Sequence, residues 1–310
     1  MLQYLIILLD DTATSYCHYN NPTTEKRLIS LEDLKAGILF AMKQNLMVQF
    51  VYPLYEIPLE YKEAIETINH VKIMPSEAED AASADVLVFN SFEEFSEEKI
   101  EKYKDRIFVL RTCKDLVGNV STFGCAERLN IIITDIETFT ETNFDTYKVW
   151  LSGLSSQLAN LYRNGKVLQI NLLTDRILLE KMNNCNAGFE NITLAPNGKF
   201  YVCPAFYIEN EEDSVGDLKD GLNIKNQQLY KLEYAPLCRI CDAYQCKRCV
   251  WLNRKTTLEV NTPSHEQCVA AHLERNASEN LLKELKLTGY FADTEITAID
   301  YLDPFELIKN

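Results

Sequence analysis

At 310 residues and 46% hydrophobic content the chain can bury a full core, and its length favours one large domain or two modest ones. With 31 basic and 46 acidic residues the net charge is −15, which repels a phosphate backbone and argues against a nucleic-acid partner. Cysteine is unevenly spread: residues 1–183 hold three of the ten and residues 184–310 hold seven, so composition places a domain boundary near Asn183.

The opening run Met1 to Leu9 is apolar but has no basic leader, and Asp10-Asp11 ends it far short of a membrane span. It reads as a buried strand over 3–9 in a cytoplasmic protein without signal peptide or membrane segment. Ser30 is placed to cap a helix over Leu31–Gln44, with Leu31, Leu34, Ile38 and Met42 on one face and Asp33 three places after the cap. A buried strand, Met47 to Tyr52, follows. The pattern then predicts a helix over 59–69, strands over 71–74 and 85–90, and a helix of mixed charge over 92–104. Strands over 106–111 and 129–134, a long helix over 143–164 and a strand over 167–172 complete the series. Strand and helix alternating at this pace predict parallel β/α units, and Val86-Leu87-Val88-Phe89 suits a strand covered on both faces. The expected fold is α/β: an incomplete (β/α) barrel or open parallel sheet over 1–183, followed by a smaller cysteine-rich domain over 184–310.

From Cys185 the alternation stops. Phe189 to Leu194 and Lys199 to Val202 read as two strands joined by Pro196-Asn197-Gly198, a turn whose Asn and Gly tolerate positive φ. Asp217 to Leu237 is a polar stretch, and helical periodicity resumes over 269–273 and 278–287. No internal repeat and no low-complexity tract is present.

The seven cysteines of this part are Cys185, Cys203, Cys238, Cys241, Cys246, Cys249 and Cys268. In a reducing compartment such a dense cluster holds metal far more often than disulfides. Thiolates two residues apart can turn back on one soft metal centre, and seven is close to the eight that two four-iron clusters need. Zinc is the alternative, since Cys-x2-Cys pairs commonly build four-thiolate knuckles. Iron is favoured because only four residues separate the two pairs and three further cysteines lie outside the quartet.

Cys185-x12-Gly198-x4-Cys203, the quartet Cys238-x2-Cys241-x4-Cys246-x2-Cys249, Cys268 and the turn Gly216-Asp217-Leu218 resemble the SPASM domain. That module carries auxiliary iron-sulfur clusters on radical S-adenosylmethionine (SAM) enzymes that modify peptides. The likeness covers residues 185–268. One departure is that the last two gaps are four and two residues, where the usual pattern has five and three. The resemblance implies two [4Fe-4S] clusters, one on Cys238, Cys241, Cys246 and Cys268, the other on Cys185, Cys203 and Cys249. The open position of the second would take water, a remote cysteine such as Cys113 or Cys125, or a substrate thiolate.

Radical SAM enzymes hold their catalytic cluster with Cys-x3-Cys-x2-Cys after the first strand. Here Asp10, Thr14 and Cys17 occupy those positions, and Tyr52-Pro53-Leu54-Tyr55-Glu56 lacks the glycines of the cofactor turn, so SAM is not an expected cofactor. Leu8-Leu9-Asp10-Asp11, Ser15 to Tyr19, Gln49 to Pro53 and Cys246 to Asn253 together resemble the CXXX repeat peptide maturase family. That resemblance implies peptide maturation, with a cysteine-containing precursor peptide and a partner radical SAM enzyme. An independently active enzyme with a relocated cofactor site is the further alternative.

Other candidates are weaker. Cys17 and His18 are adjacent, so on an extended chain they point to opposite sides and cannot form a nucleophile and base alone. His265 and His272 flank Cys268 and can hydrogen-bond a cluster. His70 reads as structural, and Cys113 and Cys125 as buried thiols of which one can serve as a ligand. Lys247, Arg248 and Trp251 read as a solvated basic loop.

Overall fold

The computed structural model describes residues 2–116, 123–124, 126–178, 186–244, 246 and 248–297. Its elements in chain order begin with β1 (Tyr4–Leu8), α1 (Leu31–Gln44), β2 (Met47–Val51), α2 (Leu59–Ile65), β3 (His70–Pro75) and β4 (Val86–Phe89). Next come α3 (Glu97–Lys102), β5 (Ile107–Thr112), β6 (Arg128–Ile133), α4 (Glu141–Arg163), β7 (Gln169–Ile170) and α5 (Asp175–Leu178). The remainder is β8 (Asn191–Leu194), β9 (Phe200–Tyr201), α6 (Pro204–Glu209), β10 (Gly216–Asp217), β11 (Gly221–Leu222), α7 (Val250–Thr257) and α8 (His265–Leu287).

The fold is α/β, with nine strands in a mostly parallel main sheet, as the sequence pattern predicts. Two compact units divide the chain: residues 1–94, 106–111 and 186–227 form one, and residues 95–105, 112–185 and 228–310 the other. They follow spatial packing, whereas the expected division after residue 183 follows cysteine content.

In the first unit the strand order is β5-β4-β3-β2-β1-β8-β9, parallel except for the antiparallel β8–β9 pair. Leu5, Ile7 and Leu8 of β1 and Leu87, Val88 and Phe89 of β4 are buried on both faces, as central parallel strands require. The predicted cap is present: the Ser30 side chain accepts from the Asp33 backbone N–H. Gly37 of α1 faces Ile7 and Leu194, and a Cβ there would overlap the Leu194 side chain. The hairpin turn also forms as expected. Gly198 has φ +76°, open to glycine without strain, and the turn closes with Gly198 N–H donating to the Ala195 carbonyl at 3.0 Å.

The second unit carries β6 and β7, paired in parallel, with α4 packed on α8. Tyr147, Leu151, Leu154, Leu158 and Tyr162 line the buried face of α4, while Ala270, Ala271, Ala277, Ser278, Leu281 and Leu285 line that of α8. The small residues of α8 leave room for the tyrosines of α4.

Several expectations are corrected. The helix over 92–104 starts only at Glu97, because Ser96 caps it by accepting from Lys99 N–H. The helix over 59–69 ends at Ile65, where Thr67 turns its hydroxyl onto the Ala64 carbonyl. The strand over 167–172 is two residues long: the Asn171 side chain replaces the ladder, accepting from Ile131 N–H and donating to its carbonyl. The segments 269–273 and 278–287 belong to one continuous helix, α8. The supposed basic loop contains α7, with Val250, Trp251 and Leu252 buried, and Arg248 is buried as well; Lys247 lies outside the described residues. Cys113 is exposed rather than buried, and Cys125 lies outside the described residues.

Gly37→Val is expected to cost about 2 kcal/mol of stability by forcing α1 off β1 and β8, read as a lower urea midpoint. An unchanged midpoint would show that Leu194 yields freely.

Candidate metal centre

Cys238–Ile240 forms a single tight turn in which Cys241 N–H donates to the Cys238 carbonyl at 3.1 Å. That turn brings two thiols two residues apart onto one side of the chain. Cys246 follows, and Cys268 sits in the first turn of α8, which Ser264 caps through Gln267 N–H. Cys238, Cys241, Cys246 and Cys268 line one cavity of about 50 Å³, with Arg248, Leu237, Ala271 and His272 also in its wall. A cavity of that size has room for a body several times larger than one water.

Four thiols, soft donors, lining such a space suit a small cluster rather than one ion, since no three of their sulfurs lie within 4.8 Å of one another. Without one, Cys238, Cys246 and Cys268 resist ionisation. Burial pushes the Cys246 thiol up to about 12, with the Glu274 charge adding and Arg176 opposing. Burial likewise pushes Cys238 up to about 11, against the pull of Arg248, and raises Cys268. A bound cation would supply the positive charge that these thiolates lack.

His272 stands one helical turn after Cys268. Its Nδ1 lies 2.7 Å from the Cys268 carbonyl, which can only accept, so Nδ1 carries the proton. In the neutral ring Nε2 then presents a lone pair, 3.8 Å from Cys241 Sγ and 3.6 Å from Asp242 Oδ1. Cys241, Asp242 and His272 thus offer three ligand atoms within 4.8 Å of one another. Asp242 is the member that sequence reasoning missed; its position beside Cys241 was the available signal. His265, by contrast, is exposed on α8.

Behind Cys246 lies a buried charged group. Tyr147 of α4 donates to Glu274 Oε1 at 2.9 Å, and Arg176 of α5 meets Glu274 Oε2 at 3.2 Å. Arg176 also donates to the Leu172 carbonyl at 2.7 Å. This links α4, α5 and α8 at the level of the cysteines.

The remaining predicted ligands belong to different elements. Cys249 caps α7, its sulfur accepting from Leu252 N–H at 3.5 Å, and Cys203 precedes α6 in the first unit. Cys185 lies outside the described residues. The Gly216-Asp217-Leu218 turn opens the β10–β11 hairpin, where Asp217 accepts from Lys219 and Asp220 N–H.

The positions of the absent three-cysteine motif lie at the end of β1 in the first unit. Asp10 is fully buried and accepts from Thr12 N–H at 2.9 Å and Tyr55 O–H at 2.8 Å. Asp11 accepts from Tyr207 and pairs with Arg27, which also reaches Glu211 at 2.7 Å. Arg111 holds the following loop, donating to the Cys17 and Tyr19 carbonyls. Tyr19 is buried, which raises its phenol well above the ordinary value, and charge at Cys17 and Cys203 adds to the effect. His70 is structural as expected, its Nδ1 2.8 Å from the Ile68 carbonyl.

Among solved structures, the chain is similar to hexahistidine-tagged anSMEcpe with bound AdoMet, with a TM-score of 0.65 at 14% identity over 94% of this chain and 98% of that one. At 14% identity this likeness shows a shared fold. Native anSMEcpe with AdoMet and the Cp18Cys peptide gives a TM-score of 0.60 at 14% identity, covering 92% and 99%. The form with the Kp18Cys peptide gives 0.59 at 13%, with the same coverage. No family model matches the chain, and no curated protein does. Among the described residues no helix is long and apolar enough to cross a membrane.

Glu274→Gln is expected to cost about 3 kcal/mol in urea unfolding, because it leaves the buried Arg176 without its counter-charge. Tyr147→Phe, which removes one hydrogen bond, should cost about 1 kcal/mol. Equal losses in the two variants would contradict the charge argument.

Proposed function

We propose that this chain is an iron-sulfur protein of peptide maturation in the cytoplasm, belonging with the CXXX repeat peptide maturases. It binds a cysteine-containing precursor peptide, relays electrons with a partner radical SAM enzyme, or does both. The observation that carries this reading is the convergence of Cys238, Cys241, Cys246 and Cys268 on one cavity. A [4Fe-4S] group bound there would supply one-electron transfer, at a potential set by burial and hydrogen bonding. Cys185, Cys203 and Cys249 would hold a second such group on the SPASM pattern.

The chain's own residues define what that site can do. His272 and the Ala243 N–H, 3.4 Å from Cys241 Sγ, lie beside one thiol and orient it. Leu237 and Ile240 flank the Cys238 turn with exposed apolar side chains, Ile240 at 82% exposure, and give a peptide or partner an apolar foothold. Two of the similar structures carry peptides named Cp18Cys and Kp18Cys, which supports a cysteine-containing peptide as ligand here.

Zinc is the second reading, favoured by the imidazole and carboxylate of His272 and Asp242 beside Cys241. It would make the chain a non-redox peptide-binding scaffold. Metal and sulfide analysis after anaerobic purification separates the two: brown protein with iron and sulfide, or colourless protein with zinc.

On the iron-sulfur reading, Cys238→Ser or Cys246→Ser should abolish visible absorption and lower the melting temperature. Full iron content with unchanged melting would contradict it. Peptide capture through a thiolate predicts much weaker binding of a Cys→Ser peptide, and equal binding would end that part of the reading. AdoMet in the similar structures makes a third measurement decisive. Reductant and SAM added to the isolated protein should give no peptide turnover if Asp10 and Thr14 preclude the catalytic cluster, and turnover would establish an independent enzyme.

A further inference from the structure

Arg248 lies two residues after Cys246, in the wall of the four-thiol cavity, with only 5% of its surface exposed. Its Nη2 donates to the Tyr230 carbonyl at 2.7 Å, while Nε and Nη1 are buried with no hydrogen-bond partner among the described residues. No described carboxylate pairs with it. The other buried guanidinium near these cysteines, Arg176, is treated differently: it meets Glu274 and donates to two backbone carbonyls. A buried cation left unpaired is strongly destabilising, and guanidinium cannot shed its proton to escape the penalty. Among the described residues nothing supplies its counter-charge, and the cavity it lines is a place where one can be held.

We infer that Arg248 is the built-in counter-charge of the metal centre held by Cys238, Cys241, Cys246 and Cys268. The N–H groups on its two unused nitrogens, Nε and Nη1, are the donors available to the sulfur of that centre. This rests on the metal-centre reading above and extends it to a residue outside the ligand set. A four-thiolate centre is a dianion whether its core is zinc or an oxidised four-iron cluster, so one fixed cation in its wall offsets half of that charge. The consequence is twofold. Arg248 slows loss of the metal, and in an iron-sulfur centre it favours the reduced, more negative state and so raises the midpoint potential. Arg248 is a positioning residue: it acts through the cysteine-held group.

The test uses full-length protein purified anaerobically with its metal, as wild type, Arg248→Gln, Arg248→Met and Arg239→Gln. Arg248→Met refills the wall with an apolar chain, so it supplies a folded variant if Arg248→Gln does not. Arg239→Gln removes the same charge from an exposed position between Cys238 and Cys241. The readouts are the rate of metal transfer to a chelator and, for iron, the midpoint potential from a dye-mediated redox titration. Either Arg248 variant should lose metal at least tenfold faster than wild type and shift the potential downward, while Arg239→Gln follows wild type. An Arg248 variant that matches wild type in both readouts overturns the inference and leaves the metal-centre reading standing. A wild type loaded with zinc removes the iron reading, and the chelator rates then decide Arg248 alone. A wild type with no metal on these thiols overturns both.

Discussion

A charge taken out of water has to meet an opposite charge, and the second unit is arranged around that constraint. Glu274 on α8 accepts from the Tyr147 hydroxyl on α4 and pairs with Arg176 on α5 where three helices meet. Cys246 sits in the field of this group, and its thiol is held protonated by burial unless a cation arrives. Arg248 sits in the same cavity wall with donors to spare. Thiols that resist ionisation beside a guanidinium that cannot lose its charge are what the proposed anionic sulfur-metal group would complete.

The first unit solves a different problem with the same physics. This chain places Asp10 at the end of β1 and satisfies its carboxylate with Thr12 and Tyr55. Asp11, Arg27, Tyr207 and Glu211 extend the polar network, and Arg111 pins the loop that carries Cys17. A parallel sheet buried on both faces supports that loop from β1. The result is an α/β scaffold whose first loop is tied down by hydrogen bonds and ion pairs of its own residues.

Much of the fold was legible because its signals are local. Ser30 and Asp33 marked the start of α1, Pro196-Asn197-Gly198 marked the hairpin, and the runs around Leu87 and Ile131 marked buried strands. The misses came where a side chain far along the chain overrode a local pattern. Asn171 took over the backbone pairing of Ile131 and shortened β7. The break expected between 273 and 278 reflected Arg275 and Asn276, which are polar yet continue the helix because Ala277, Ser278 and Leu281 beyond them are buried. The basic character of Lys247 and Arg248 suggested a solvated loop, but Trp251 and Leu252 bury the start of α7 behind them. Cys113 was expected to be a buried thiol and is exposed.

The sequence alone determined the order of strands and helices and marked out a set of candidate cysteines, because hydrophobic period and thiol spacing are properties of short segments. It left open which of those cysteines meet, since convergence depends on where α8 returns Cys268 relative to the Cys238 turn. Tertiary structure decided that Cys238, Cys241, Cys246 and Cys268 share one cavity, that His272 and Asp242 join Cys241, and that Arg248 is buried there with unused donors. The reason is that burial and the loss of solvent screening arise only when segments distant in sequence pack together, and those two effects set the chemistry of a charged site.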